Sequence, residues 1–300
     1  MTDMIRLKYQ TARAALRTRW GFSDMSAQQI NTLPTNNLDA YTPSEIATRV
    51  KNAGVGKANL PALQTLVLAV LGGAFIAFGA MFYTLVMTNT GMGFGPARLL
   101  GGIVFSLGLI LVVVAGAELF TGNNLIVMAW VERRISLYQL LRNWTLVFIG
   151  NLVGAIITAM IVHFSGVLNL GDGAVTITAQ NIAIAKTQIP FTEAFFRGLL
   201  CNTLVCLAIW LCFAAHTVAG KILAILFPVS AFVALGFEHS VANMYFIPIG
   251  YLAGATEVTL NGFLANLVPV VLGNIIGGSF LVASVYWVIY LWKRSEQEAS

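Results

Sequence analysis

Gly236-Phe237-Glu238-His239-Ser240-Val241-Ala242-Asn243 interrupts a run, residues 222–252, that is otherwise apolar. A carboxylate beside an imidazole at that depth is costly in hydrocarbon, and intramembrane ionisable residues mark substrate pathways by default. The glycine before the pair and the serine after it predict a helix that breaks into two halves. Residues 99–131 carry a matching interruption, Gly116-Ala117-Glu118-Leu119-Phe120-Thr121-Gly122-Asn123, with glycine, glutamate and asparagine in the same order at an offset of 120 (236 − 116). A second signature returns too. Asn143, Gly150, Asn151 and Gly154 reappear as Asn266, Gly273, Asn274 and Gly277, at an offset of 123 (266 − 143). Two polar signatures in one order and at nearly one spacing indicate an internal duplication.

Around these breaks the composition is that of a membrane protein. The chain is 58% hydrophobic and 10% charged, whereas soluble domains carry about a quarter charged residues. A span needs about 20 apolar residues, and six segments qualify: 61–88, 99–131, 137–164, 191–215, 222–252 and 260–292. Each half then holds three spans, an odd number, so the second half enters the membrane the opposite way up. The fold expected is an all-α membrane protein of two inverted three-helix repeats, its second and fifth helices broken. In such folds the interrupted helices meet near the bilayer midplane. The domain plan is an arm over residues 1–60, a membrane domain over 61–292 and a tail over 293–300.

Six spans place both termini on one side. With the termini in the cytoplasm, 14 of the 17 Lys and Arg lie inside, leaving Arg98, Lys186 and Arg197 outside, as the positive-inside rule asks. The net charge of +5 is thereby assigned to topology and anionic lipid, not to nucleic acid. The first twenty residues are Arg-rich without an apolar core, unlike a signal peptide. Residues 21–40 read as a polar tether. Thr42-Pro43-Ser44-Glu45 predicts a capped helix over 42–53 that stops at Gly54. Gly150–Gly154 and Gly273–Gly277 suit close helix packing or subunit assembly. Cys201, Cys206 and Cys212 read as small buried hydrophobes.

His239, Glu238 and Glu118 carry the chemistry, whereas His163 and His216 sit at span ends and read as solvated or capping. An imidazole in apolar surroundings is held neutral by desolvation, yet its N–H still donates. Such a donor lowers the cost of a passing anion or hands it a proton, and the neutral acid crosses apolar stretches more cheaply. A carboxylate facing the lumen would repel an anion. Glu118 and Glu238 are therefore expected to point away and accept from backbone N–H groups freed by the breaks, with Asn123 and Asn243 supporting them from the other side. No phosphate loop, metal-ligand cluster or ATP-driven domain is visible; the expectation is no enzyme, no cofactor and no metal, with transport driven by gradients.

These residues resemble a known family. Ala117-Glu118-Leu119-Phe120-Thr121-Gly122-Asn123, Cys201-Asn202-Thr203-Leu204-Val205 and Gly236-Phe237-Glu238-His239-Ser240 are similar to motifs of the formate/nitrite transporters, as are Phe105–Leu109 and Tyr286–Tyr290, over about residues 40–292. The resemblance implies an aquaporin-like fold and a homopentamer with one pore per subunit, in a bacterial inner membrane. It implies a constriction at Leu119, Phe120 and Thr121 with Leu109 nearby, apolar pore walls at Phe105, Val205 and Phe232, and His239 as the central histidine with Asn202 its polar neighbour. Lys186 matches a vestibule lysine that draws anions in, and the helix at 42–53 an element that moves with pH. Formate is the expected substrate, linked to protons. Residues 105–121 and 236–248 resemble the formate branch, but 185–187 and 201–202 the nitrite branch, so nitrite, hydrosulfide and lactate stay open. A neutral-solute pore is the other alternative, although the paired Asn-Pro-Ala motifs of aquaporins are absent.

Overall fold

Helix α1, Pro43–Ala58, opens where Thr42 gives its backbone N–H and its hydroxyl to Glu45 Oε2, at 2.8 and 2.7 Å. The hydroxyl bond first, then the backbone one, holds the Glu45 carboxyl below its usual range. These positions belong to a computed structural model of the chain, in which residues 39–292 are described. The readings of the Arg-rich start, most of the polar tether and the C-terminal tail lie outside the described residues. Helix α1 does not stop at Gly54. Gly54 is where it touches the neighbouring segment, since a Cβ there would come within 3.3 Å of Ile126 Cα and Ala129 Cβ. Its stripe of Ile46, Ala47, Val50, Gly54 and Ala58 is buried, so the helix runs on another turn and brings half-buried Lys57 to Glu118.

The chain continues through α2 (Ala62–Met87) and α3 (Phe94–Ile110), which passes into a π-helical stretch, Leu111–Gly116. There the first break occurs. Gly116 sits at φ +91°, a conformation L side chains resist, and Ala117 is extended. A 3₁₀ turn (Gly122–Ile126) and short α4 (Val127–Val131) finish the segment, and α5 spans Leu137–Phe164. The second half repeats the plan with α6 (Ala174–Thr187), α7 (Phe191–Ala214), α8 (Val218–Ala234), a break, α9 (Ser240–Leu252), α10 (Leu260–Ile276) with its π-helical extension Gly277–Ser284, and α11 (Val285–Tyr290). Gly236, at φ +73°, turns the chain out of α8 as Gly116 does out of α3.

Among the described residues, five helical stretches are long and apolar enough to cross a membrane. The fifth span is broken where its interruption predicts, into pieces of 17 and 13 residues, α8 and α9, joined through residues 235–239. Helix α6 was not foreseen. Its Ala/Ile/Thr-rich sequence has no charged periodicity, but Val175, Ala179 and Ala183 recur every four residues and are buried. It occupies in the second half the place α1 holds in the first, so each half opens with a short helix before its spans. Outward-facing Leu63, Phe164, Phe227, Leu260 and Phe280 are more than 60% exposed, a surface suited to acyl chains. This is a multi-pass membrane protein.

Glycine sets the helix spacing. A Cβ on Gly154 would overlap the Val70 carbonyl oxygen, and one on Gly277 the Leu199 carbonyl oxygen. Helix α5 thus packs on α2, and α10 on α7, at backbone distance. Of the two roles expected for these glycines, packing within the chain holds; they are turned inward and do not form a surface between subunits. The three cysteines are buried.

Candidate functional site

Each break is held by the same eight bonds at equivalent positions. In the first half, the Glu118 N–H donates to Leu68 O (3.1 Å) and the Phe120 N–H to Asn151 Oδ1 (2.9 Å), while Asn151 Nδ2 donates to Ala69 O and Glu118 O (2.7 and 2.9 Å). In the second, the Glu238 N–H donates to Arg197 O (3.2 Å), the Ser240 N–H to Asn274 Oδ1 (3.0 Å), and Asn274 Nδ2 to Gly198 O and Glu238 O (2.8 and 3.1 Å). Backbone groups released by a broken helix must find partners in a membrane interior. Here a buried asparagine from the following long helix supplies them.

The two glutamates face a different set of donors from the one expected. Lys57 Nζ lies 2.7 Å from Glu118 Oε1, and Lys186 Nζ 2.9 and 3.0 Å from the two oxygens of Glu238. Asn123 Nδ2 donates to Glu118 Oε2 (2.6 Å) and Asn143 Oδ1 (2.9 Å); Asn243 Nδ2 donates to Glu238 Oε2 and Asn266 Oδ1, both at 2.7 Å. Each set closes where Asn143 Nδ2 reaches Lys57 O (3.2 Å) and Asn266 Nδ2 reaches Lys186 O (2.9 Å). The carboxylates therefore accept from ammonium and amide groups and not from freed backbone N–H groups. For Lys186 and Glu238, whose side chains are 15% and 5% exposed, such complete bonding is what makes a buried pair of charges stable. Lys186, which the resemblance casts as drawing anions in, is paired with Glu238.

Two cavities approach the breaks from opposite ends of the site. One, of about 550 Å³, is walled by Lys57, Glu118, Leu119, Gly122, Ile209 and Lys221. The other, of about 220 Å³, is walled by Arg98, Phe105, Lys186, Phe232, Glu238 and His239. They are joined by one polar contact: Thr121 Oγ1 lies 3.0 Å from His239 Nε2. His239 Nδ1 accepts the Ala242 N–H at 3.1 Å, so the imidazole caps the start of α9. Because that nitrogen is an acceptor, a neutral ring carries its proton on Nε2, facing Thr121. The Phe232 ring stacks on the imidazole at 5.9 Å and meets Phe105 edge-on at 5.9 Å.

Among the other expected pore residues, Leu109, Thr121 and Val205 belong to the buried stretch and wall neither cavity. Phe120 departs from expectation. Its ring packs on Trp144 and Phe148, at 6.3 and 5.2 Å, while Leu119 lines the larger cavity. Asn202 Nδ2 bridges Thr121 O, Asn124 Oδ1 and Asn274 O at 2.7–3.2 Å, tying the first break to α10. Sequence reasoning missed Lys57, Asn143 and Asn266 as partners of the carboxylates, and saw Asn151 and Asn274 only as marks of the repeat. Their recurrence at one offset was the available signal.

Two half-built spans whose breaks meet between opposed cavities define a membrane channel or transporter for a small solute. The chain belongs to the formate/nitrite transporter family, which it matches over residues 44–288. It is 41% identical to the formate channel FocA of Escherichia coli (strain K12), with 85% of this chain and 96% of that protein covered. It is likewise 41% identical to a probable formate transporter of Methanothermobacter thermautotrophicus, covering 83% and 97%. A solved pentameric formate channel with formate bound superposes with a TM-score of 0.72 at 40% identity, over 77% of this chain and 98% of that one.

Proposed function

We propose that this chain is a homopentameric formate channel of the bacterial inner membrane, with one pore per subunit, both termini cytoplasmic, and His239 as the proton-linked donor each anion meets between the cavities. The observation that carries this is the two-sided bonding of His239. With Nδ1 committed to the Ala242 N–H, Nε2–H is the group left to face an anion. Among Phe105, Phe232 and Leu119 such a bond is worth more than in water, and it offsets part of the cost of taking a charge out of solvent. Thr121 Oγ1 holds the donor in place until an anion takes over.

Proton transfer asks for more. A neutral imidazole is too weak an acid to protonate formate, so Nδ1 must first take a proton from hydronium. The resulting imidazolium gives its Nε2 proton to formate, and Nδ1, now protonated, has lost the Ala242 N–H. Proton linkage therefore runs through release of the α9 cap, while simple hydrogen bonding to the anion does not. The orientation is supported by charge: Arg98, Lys186 and Arg197, the three basic residues assigned outside, all wall one cavity, whereas Lys57 and Lys221 wall the other. Formate is supported by the names of the relatives. Nitrite is the second reading, supported by a family that takes in both and by the equal charge and similar size of the two ions.

The test is side-by-side flux of formate, nitrite and hydrosulfide in proteoliposomes at two pH values. Formate is expected to be fastest, with faster uptake at the lower pH. Flux of none of the three removes the reading, and nitrite outpacing formate at both pH values replaces the substrate.

A further inference from the structure

The pairing of Lys57 with Glu118 and Lys186 with Glu238 leaves a question about attraction. A channel for anions gains from a net positive approach on each side, and these lysines supply none. The charge at each cavity can be followed residue by residue. In the smaller cavity Lys186 is cancelled by Glu238, and Arg197 bonds Glu193 at 2.8 Å. What remains is Arg98. In the larger cavity Lys57 is cancelled by Glu118, and what remains is Lys221. Among the described residues neither Arg98 nor Lys221 forms a salt bridge.

Arg98 is placed to meet what passes. A third cavity, of about 550 Å³ and walled in part by Asn89, Thr178 and Asn181, adjoins the smaller one, and Tyr83, Arg98, Ile182 and Ala185 wall both. Arg98 thus stands where that chamber meets the one that His239 lines. Nε donates to Ala234 O at 3.0 Å and Nη2 to Val233 O at 3.3 Å, which fixes the guanidinium over the end of α8. Two of its five N–H groups are used there, and three remain for an anion.

Lys221 holds the corresponding place. Arg98 is the fifth residue of α3 (98 − 94 + 1) and Lys221 the fourth of α8 (221 − 218 + 1), helices of 17 residues that occupy equivalent positions in the two halves. A cation near a helix N-terminus works against the helix dipole, and among the described residues no hydrogen bond or salt bridge of the Lys221 ammonium compensates.

We infer that Arg98 and Lys221, not the paired Lys57 and Lys186, are the residues that gather monovalent anions at the two mouths of the pathway. This rests on the anion-channel reading. A unit charge about 7 Å from a passing anion, in water-like surroundings, raises its local concentration about threefold at low salt, and about 1 M salt screens that away.

The full chain in uncharged-lipid vesicles tests it by formate uptake at sub-saturating concentration, in about 0.01 M and about 1 M of an impermeant salt. Arg98→Gln and Lys221→Gln are each expected to cut low-salt uptake about threefold and to match wild type at high salt. Arg98→Lys and Lys221→Arg should keep the wild-type salt dependence. If Arg98→Gln fails to fold for want of its carbonyl bonds, Lys221→Gln, which breaks none, carries the test. Wild-type uptake and salt dependence in the glutamine variants overturn this inference alone, as does a loss of equal size at both salt levels. No anion flux through the wild type removes the channel reading and this inference with it.

Discussion

Glu238→Leu is expected to lower the stability of the folded protein by about 3–5 kcal/mol, the cost of leaving one partner of a buried ion pair behind. The side chain of Lys186 is 15% exposed and that of Glu238 5%, so water cannot take over from the lost carboxylate. Asn243 and Asn266 lose an acceptor in the same step. For a chain of this size the loss corresponds to a fall in thermal midpoint on the order of 10 °C, read from unfolding of purified protein in detergent. The double variant Lys186→Met, Glu238→Leu should recover most of it, because an apolar pair in place of an ion pair is often neutral. A double variant no more stable than the single one would show that the unpaired ammonium is not the source.

A Cβ at Gly277 has an effect of similar size by another route. Gly277→Ala would drive the new methyl into the Leu199 carbonyl oxygen and carbon, and neither can rotate aside. Overpacked cores lose typically 1–3 kcal/mol, and more where backbone itself must move. Separation of α10 from α7 would also pull Asn274 from Gly198 O and Glu238 O, which are its anchors on the second break. We expect loss of more than about 3 kcal/mol and little folded protein on size-exclusion chromatography. Gly56→Ala is the control, since nothing lies within 4 Å of a Cβ there. Wild-type yield and melting for Gly277→Ala would contradict the packing described.

Much of this architecture was legible from one property, the cost of polarity in hydrocarbon. Glu118, Glu238 and His239 stand out because an apolar run has few reasons to carry them, and the repeat alone pairs the two breaks. What stayed hidden were the partners. Lys57 lies 61 residues from Glu118 and Lys186 52 residues from Glu238, separations at which spacing rules for a single helix say nothing. Lys57 also sat in a segment assigned to the arm, past a glycine that signals a helix end; burial of the Ile46–Val50–Gly54 stripe overrode the signal. Helix α6 was missed because its buried face is made of valine and alanine, too weak a contrast with its Ile and Thr neighbours to show a period. Resemblance places Phe120 in the constriction, but its ring packs on Trp144 and Phe148 of α5, contacts that a residue 24 or more positions away (144 − 120) gives no local signal of. The aromatic–imidazole stack of Phe232 on His239 joins residues from either side of the break, where no helical periodicity applies.

The central claim is that His239 is the donor through which anion passage depends on protons. His239→Asn tests it most directly, because an asparagine at an N-cap can still accept the Ala242 N–H while having no proton to gain or lose near neutral pH. Formate uptake into proteoliposomes, measured across pH 5–8, the range in which imidazoles titrate, is the measurement. A folded variant whose uptake has lost most of its pH dependence is expected. Wild-type rates with the wild-type pH profile would contradict it and leave His239 as the cap of α9.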